Sequence, residues 1–174
     1  GSLNAFVAGG QRIFINTGAL AEATTPNQII GVLAHETGHI TGGHLSKLRQ
    51  ELANVQTAVL IAMLLGVAAM AASRGGGGDS GMAQAGAATL SGAQNVAMRS
   101  LLSYQRAHEE AADRAAVKYL AATNQSAKGM YETFKRFADN SMFSARFADP
   151  YAQSHPMPTE RIAALSEIAR SSPI

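Results

Sequence analysis

The stretch that decides the fold is residues 25–43, which read TPNQIIGVLAHETGHITGG. Thr25 is a suitable helix cap, Pro26 fits the first helical position, and Gln28 completes a capping box. Apolar residues then recur at the spacing of a mostly buried helix. The two glycines that close the stretch are the first place where this helix can end.

Two histidines inside this helix are separated by one turn. His35, Glu36 and His39 form the pattern HExxH, and the four-residue spacing puts both imidazoles on one helical face, where they can share one metal ion. Glu36 lies about 100° round from His35, where it can take a proton from a water on that ion without binding the ion itself. The pattern predicts a zinc site held by the two histidines, with Glu36 as the catalytic general base.

The third metal ligand must come from elsewhere in the chain. A metzincin needs a histidine ten positions after the first, but Leu45 stands there and His44 falls one residue short. We favour Glu109, because a site of two histidines and one glutamate keeps a fourth position for water. Asp113, one turn later, is placed to hydrogen-bond one of the liganding imidazoles. Glu110 is the competing ligand, and a solvated acidic helix face is the simplest alternative.

A further histidine stands close to the end of the chain. His155 precedes the last predicted helix, whose first turns contain Arg161. This histidine could stabilise an oxyanion, bind the metal in a resting state and leave when substrate arrives, or cap the helix. On a continuous helix His44 would lie about 140° from His39, so we expect it to cap or pack. Tyr104 is a further candidate for a hydrogen bond to the transition state.

The rest of the pattern predicts helices and one small hairpin. Residues 5–8 and 12–15 are short extended runs joined by Gly-Gly-Gln, as in a hairpin. Helical periodicity covers residues 95–122, 127–138 and 159–170. The predicted fold class is therefore α+β and mostly α.

One segment has a different character. Residues 57–72 carry no charge, and residues 73–81 hold five glycines and are typical of a mobile loop. Sixteen helical residues span roughly 24 Å, less than the roughly 30 Å of a hydrocarbon core. A buried or partner-covered helix, a membrane-surface or lid element, and a full membrane span all remain open.

We divide the chain into an expression scar at residues 1–2 and one catalytic domain, residues 3–174, in which residues 57–93 are a lid or membrane-facing insertion.

Composition narrows the possible partners. Of the residues, 47% are hydrophobic and 15% charged, which argues for one globular domain with a real core. The net charge is only +2 and the basic residues are scattered, which argues against nucleic acid as a partner. No cysteine is present, so any metal must bind histidine and carboxylate. No signal peptide is apparent, and we expect the natural protein to extend beyond both ends.

In these motifs the chain resembles the family of HtpX and the CAAX prenyl proteases, particularly its soluble periplasmic BepA-like branch. The resemblance runs in order through nearly the whole chain. Its blocks are Asn4-Ala5-Phe6 with Gly9-Gly10, Ile15-Asn16-Thr17-Gly18, HExxHxxxxH from His35 to His44, ExxxD from Glu109 to Asp113, and His155-Pro156 with Arg161.

The resemblance implies a zincin-type (gluzincin) metallopeptidase fold with one zinc ion per chain, a glutamate third ligand, and His155 as the family's histidine beside the site. It also implies a periplasmic location, an export signal before this region and tetratricopeptide repeats after it. Misassembled outer-membrane proteins are the implied substrates, in envelope protein quality control. In the family's membrane branches the stretch between the two motifs carries transmembrane helices, whereas in this branch it forms helices and a loop over the cleft.

The sequence therefore predicts a zinc-dependent endopeptidase of protein or peptide substrates, with residues 57–72 as a candidate membrane-surface contact. The edge of the hairpin could bind an extended substrate through main-chain pairing. One alternative is a chaperone-like or binding module whose zinc site is latent, closed by His155 or by residues 57–93. Another is an integral membrane protease whose span is included in the chain.

Overall fold

The computed structural model describes residues 4–9, 11–75, 80–143 and 150–173. Within these residues the chain is mostly helical with one small antiparallel sheet, which confirms the predicted fold class. The elements are β1 Ala5–Ala8, β2 Arg12–Ile15, α1 Thr17–Glu22, α2 Pro26–Thr41, α3 His44–Gly75, α4 Ser80–Ala122, α5 Lys128–Phe143, α6 Pro150–Ser154 and α7 Thr159–Ser171.

The predicted hairpin is confirmed residue for residue. Strand β1 pairs with β2 antiparallel, with Phe6 opposite Phe14. The two phenylalanine rings stack with centroids 5.2 Å apart on the exposed face, while Ala5 is fully buried. One face of the hairpin therefore belongs to the core and the other is open.

The decisive helix α2 begins at Pro26 and ends before the paired glycines, as predicted. Its predicted capping box is wrong by one residue. Thr25 makes no side-chain cap hydrogen bond. Instead, the Gln28 side chain accepts from the Thr24 backbone N–H and donates to Thr24 Oγ1, both at 3.0 Å. The glutamine side chain is long enough to reach past Thr25, and it pairs with the backbone N–H and the hydroxyl of Thr24 instead.

Two glycines let α2 lie against its neighbours at backbone distance. A Cβ atom at Gly38 would stand 2.7 Å from the carbonyl oxygen of Ala112 in α4, and one at Gly31 would stand 2.7 Å from backbone atoms of Met130 in α5. Contacts that short do not occur, so glycine is required for this packing. The buried apolar cluster beside these helices includes Val32, Ala116, Leu120, Met130, Phe134, Phe137, Tyr151 and Leu165.

The chain divides into two compact units, Gly1–Leu45 with Arg106–Ile174, and Ser46–Gln105. In the second unit α3 and α4 approach closely at two glycines, since a Cβ at Gly86 would stand 2.9 Å from the Gly66 carbonyl oxygen. Part of α3, His44–Ala72, is long and apolar enough to cross a membrane by length and composition, and only 6% of its most apolar window is buried. One predicted alternative for residues 57–72 was a helix buried by the rest of its own chain. Among the described residues this prediction is wrong, because the helix is exposed.

Other boundaries differ from the sequence prediction. The helix expected from residue 95 already begins at Ser80, and α3 continues to Gly75, so the loop predicted over residues 73–81 is wrong at both ends. The middle of that loop lies outside the described residues. Alanine is the best helix former and is frequent on both sides, which outweighs the effect of Gly75 and Gly81, the two glycines of this stretch within the described helices. The short helices α1 and α6 were not predicted, because five or six residues are too few to show a periodicity.

Candidate metal centre

Four side chains from three places in the fold converge on one buried point. Helix α2 supplies His35 and His39, whose Nε2 atoms lie 3.0 Å apart. Helix α4 supplies Glu109, with Oε2 at 3.2 Å from His35 Nε2 and Oε1 at 3.2 Å from His39 Nε2. His155, which follows α6, places Nδ1 at 3.1 Å from Glu109 Oε1 and 3.4 Å from His35 Nε2. The structure thus brings together the three predicted ligands and the predicted neighbouring histidine.

These distances suit a tetrahedral metal ion. Zinc binds imidazole nitrogen at about 2.0–2.1 Å, which in a tetrahedron separates neighbouring ligand atoms by about 3.3 Å. The observed separations of adjacent ligand atoms run from 3.0 to 3.4 Å. The donor set of imidazole nitrogens and one carboxylate also matches the ligands that zinc takes in proteins. The residues present therefore fit a metal ion of this kind.

The two neighbouring glutamates of α4 have different surroundings. Glu109 is 3% exposed, whereas the Glu110 side chain is 63% exposed and lies 3.8 Å from Arg114. Burial opposes ionisation of Glu109, but His155, His35 and His39 outweigh it and hold the pKa of Glu109 well below its usual range. The buried carboxylate is thus ionised and faces the cluster, and the competing candidate faces solvent.

Arg161 of α7 connects the predicted supporting residues. Its Nε and Nη2 donate to the two oxygens of Asp113 at 2.6 and 2.8 Å, a bidentate geometry that charge-assisted pairs favour. Its Nη1 lies 2.9 Å from Glu109 Oε2 and donates to the Pro156 carbonyl oxygen at 2.9 Å. Asp113 and Arg161 therefore lie beside the cluster, as predicted, and Arg161 also contacts the segment that carries His155.

The His35 ring lies between two carboxylates, with Glu109 near its Nε2 atom and Asp113 near its Nδ1 atom. Its Nδ1 lies 2.9 Å from Asp113 Oδ1, close enough for an ion pair when the ring is protonated. Burial favours neutral His35, but Asp113 and Glu109 outweigh it and raise the pKa of His35 to about 9. The charged form of this imidazole is stabilised in the metal-free protein.

Glu36 uses its two oxygens differently. Oε1 accepts a hydrogen bond from the Tyr151 hydroxyl at 2.9 Å and lies 3.5 Å from His155 Nε2. Oε2 is buried and has no hydrogen-bond partner among the described residues. Burial raises the pKa of Glu36, although His155 and His35 oppose the rise. One oxygen is thus held in place while the other is unpaired.

Sequence reasoning missed two residues that touch this cluster. Tyr151 stacks on His155 with ring centroids 4.4 Å apart, and the only sequence signal for this contact is its position four residues before His155. His44 contacts His39, although a continuous helix would have kept them apart. Tyr104 belongs to the second unit, and its predicted role stays a prediction.

The chain is similar to one known protein family and to several named proteins. A family model described as peptidase family M48 matches residues 1–169. A Vibrio cholerae protein with the provisional name beta-barrel assembly-enhancing protease is 28% identical over 99% of this chain. Beta-barrel assembly-enhancing proteases of Yersinia pestis and Escherichia coli K12 are 24% and 23% identical, each over 92% of it. The chain spans about a third of these relatives, 34% of the first and 31% of the others. No solved structure matches it.

Proposed function

Because this chain belongs to peptidase family M48, we propose that it is the catalytic part of a zinc-dependent endopeptidase that hydrolyses peptide bonds of protein substrates. The observation that carries the proposal is the buried cluster of His35, His39 and Glu109 beside a buried glutamate. These three side chains would hold one zinc ion per chain. Burial of so many ionisable groups costs free energy, which is consistent with a functional site.

Bound zinc supplies Lewis acidity, which polarises a peptide carbonyl and lowers the pKa of a water molecule toward about 7. Glu36 takes the proton of the attacking water at Oε2, because Tyr151 already holds Oε1. Glu36 then delivers this proton to the amine that leaves when the C–N bond breaks. Burial raises the pKa of the Glu36 carboxylate, which makes it a better proton acceptor than an ordinary glutamate and suits it to both transfers.

Removing the general base tests this mechanism. In Glu36→Gln the amide keeps the size of the side chain but cannot accept the proton, so cleavage of an unfolded, fluorescently labelled protein should fall about 10²- to 10⁴-fold. Zinc content, measured by mass spectrometry, should stay at the wild-type level. Glu110→Gln is the matched control, because Glu110 is exposed. Equal cleavage by wild type and Glu36→Gln would contradict the proposal.

We assign His155 the role of a resting-state ligand, because its Nδ1 lies among the other ligand atoms. It would occupy the fourth position until substrate displaces it. On this assignment His155→Ala increases the cleavage rate of the unfolded substrate. A decrease in the rate at unchanged zinc content would instead support oxyanion stabilisation, and an unchanged rate would support a capping role.

The names of the relatives motivate the choice of substrate and compartment. We propose that the protein acts in the periplasm on misassembled outer-membrane proteins, as part of envelope protein quality control. A β-barrel membrane protein offered in its urea-unfolded form should be cleaved, whereas the same protein folded in detergent should resist. Cleavage of both forms at one rate would argue against this selectivity.

The exposed apolar part of α3 supports a contact with the membrane surface. Within residues 57–72, five large side chains are each more than half exposed: Leu60, Ile61, Leu64, Leu65 and Val67. We propose that they insert into the lipid interface. The protein should float with anionic vesicles in a density gradient, and Leu64→Ser/Leu65→Ser should float less. Flotation that the double variant does not reduce would contradict the contact, and a need for detergent during purification would favour a full span.

The chief alternative, a chaperone-like module with a latent zinc site, predicts a different result. Such a module would suppress aggregation of the unfolded substrate but would not cleave it, even with His155→Ala. Cleavage that disappears with Glu36→Gln would exclude this alternative.

A further inference from the structure

The chain turns sharply immediately after the second histidine of the HExxH motif. Helix α2 ends at Thr41, Gly42 is still in a right-handed helical conformation, and Gly43 has φ of +62°. Residues with a Cβ atom rarely adopt this left-handed conformation, so glycine suits the position. His44 then begins α3. The turn directs the His44 side chain back toward the helix that has just ended.

In this position the His44 ring contacts a predicted metal ligand. His44 Nδ1 lies 2.9 Å from His39 Nδ1. One face of the ring stacks on His108 of α4, with centroids 4.3 Å apart and planes 10° from parallel. A Cβ atom at Gly42 would collide with the His44 ring. The ring is buried, with 7% of the residue exposed, and its position is therefore determined by the surrounding structure.

The two nitrogens of His39 have different neighbours. Its Nε2 lies 3.0 Å from His35 Nε2 and 3.2 Å from Glu109 Oε1, so Nε2 is the atom that would bind zinc. A neutral imidazole that binds metal through Nε2 carries its proton on Nδ1. This N–H then donates to His44 Nδ1, which must accept and must carry its own proton on Nε2. If His44 donated instead, His39 would hold its proton on Nε2 and could not bind the ion.

We propose that His44 is a positioning residue that fixes the tautomer and ring orientation of His39 for metal binding. The proposal rests on the proposed function, since it assumes that the cluster binds zinc. Metal-bound histidines usually donate their second N–H to a carboxylate, a carbonyl oxygen or a water, and loss of such a partner weakens metal binding about 10- to 100-fold. Here the imidazole of His44 would take that role for His39, while the Asp113 carboxylate lies 2.9 Å from Nδ1 of His35.

Three variants separate the hydrogen bond from the packing. His44→Phe keeps an aromatic ring for the stack but removes the acceptor. His44→Asn restores an acceptor, because its Oδ1 lies near the position of the imidazole Nδ1. His108→Phe keeps a ring on the other side of the stack and leaves the hydrogen bond intact. Urea unfolding of the metal-free variants reports whether each one folds.

The first measurement is the zinc dissociation constant, obtained by competition with a chromophoric chelator. We expect His44→Phe to weaken zinc binding about 10- to 100-fold, His44→Asn to recover most of the loss, and His108→Phe to match wild type. Wild-type affinity in a folded His44→Phe overturns the positioning role alone. If the wild-type protein binds no zinc, the proposed function fails and the positioning role fails with it.

The second measurement is the tautomer, which a purely structural role for His44 would not determine. In long-range ¹H–¹⁵N spectra of the zinc-loaded protein, His44 should show a protonated Nε2 and an unprotonated Nδ1. His39 should show a protonated Nδ1. A proton on His44 Nδ1 in the zinc-loaded protein overturns the proposal.

Discussion

The unit formed by Gly1–Leu45 and Arg106–Ile174 buries charged side chains, whereas the unit Ser46–Gln105 exposes large apolar ones. Both units use glycines to bring helices together, at Gly38 in the first and at Gly66 in the second. The same packing device therefore serves two purposes. In the first unit it encloses ionisable groups, which are tolerated because each has a partner of opposite charge or a hydrogen bond. In the second it builds a helix pair whose apolar side chains remain available for contact.

The largest expected effect concerns the buried carboxylate of the first unit. Glu109→Ala should remove most of the bound zinc, since losing even an outer partner of a ligand costs about 10- to 100-fold in affinity. Zinc per chain is measured by mass spectrometry on protein purified without added metal. Glu110→Ala, an exposed neighbour, should retain zinc. Glu109→Gln repeats the test if the alanine variant does not fold. Equal zinc content in the Glu109 and Glu110 variants would show that the buried site is not the metal site.

The next largest effect is the loss of stability when a buried charge is removed, compared with the loss when a surface charge is removed. Arg161→Met removes the guanidinium that lies against Asp113 and Glu109, and removing one partner of a buried pair costs about 3–5 kcal/mol. Arg114→Met removes an exposed pair with Glu110 and should cost about 0–1 kcal/mol. The free energy of unfolding in urea measures both. A loss below about 1 kcal/mol for Arg161→Met would mean that the buried network contributes little to stability.

The metal-free protein should also show a pH dependence from His35. Its pKa rises from the ordinary 6.5 to about 9 on folding, so the folded state binds the proton more tightly than the unfolded state. The resulting stabilisation is complete below pH 6.5 and is lost as the pH rises through 9. At about 1.4 kcal/mol per pKa unit, the free energy of unfolding should fall by on the order of 2–3 kcal/mol between pH 6.5 and 9.5. Urea unfolding in chelator measures the fall, and His35→Gln should lack it.

The smallest expected effect lies in the second unit. Leu64 is 71% exposed, so Leu64→Ala should change the free energy of unfolding by no more than about 0.5 kcal/mol. Leu120, in the core of the first unit, is 1% exposed, and Leu120→Ala should cost about 2–5 kcal/mol. Thermal unfolding of both variants measures the contrast. A large loss for Leu64→Ala would show that this side chain packs against protein in solution.

Local signals made much of the site predictable. Pro26 and the paired glycines marked both ends of α2, and the turn-by-turn spacing of His35 and His39 put their rings on one face whatever the rest of the fold. The chemistry of zinc calls for a third ligand, which in a chain without cysteine must be a histidine or a carboxylate. Glu109 was favoured over Glu110 because Asp113 stands one turn later on the same face. The structure brings His35, His39 and Glu109 together.

Contacts that depend on tertiary packing were not predictable in this way. The bond from Tyr151 to Glu36 depends on where α6 packs, and α6 is too short to carry a pattern. The contact between His44 and His39 depends on the left-handed Gly43; the same residues on a continuous helix would point apart. The lengths of α3 and α4 were missed because glycine-rich and alanine-rich segments give opposing local signals.

The glycines in and just after α2 limit which substitutions this sequence can accept. The neighbour of Gly38 is the backbone of Ala112, which every amino acid shares, so replacing Ala112 cannot make room for a side chain at position 38. The neighbour of Gly42 is the ring of His44, which a substitution can remove. A side chain at position 38 therefore requires the backbones of α2 and α4 to move apart, whereas a side chain at position 42 requires only that a smaller residue replace His44.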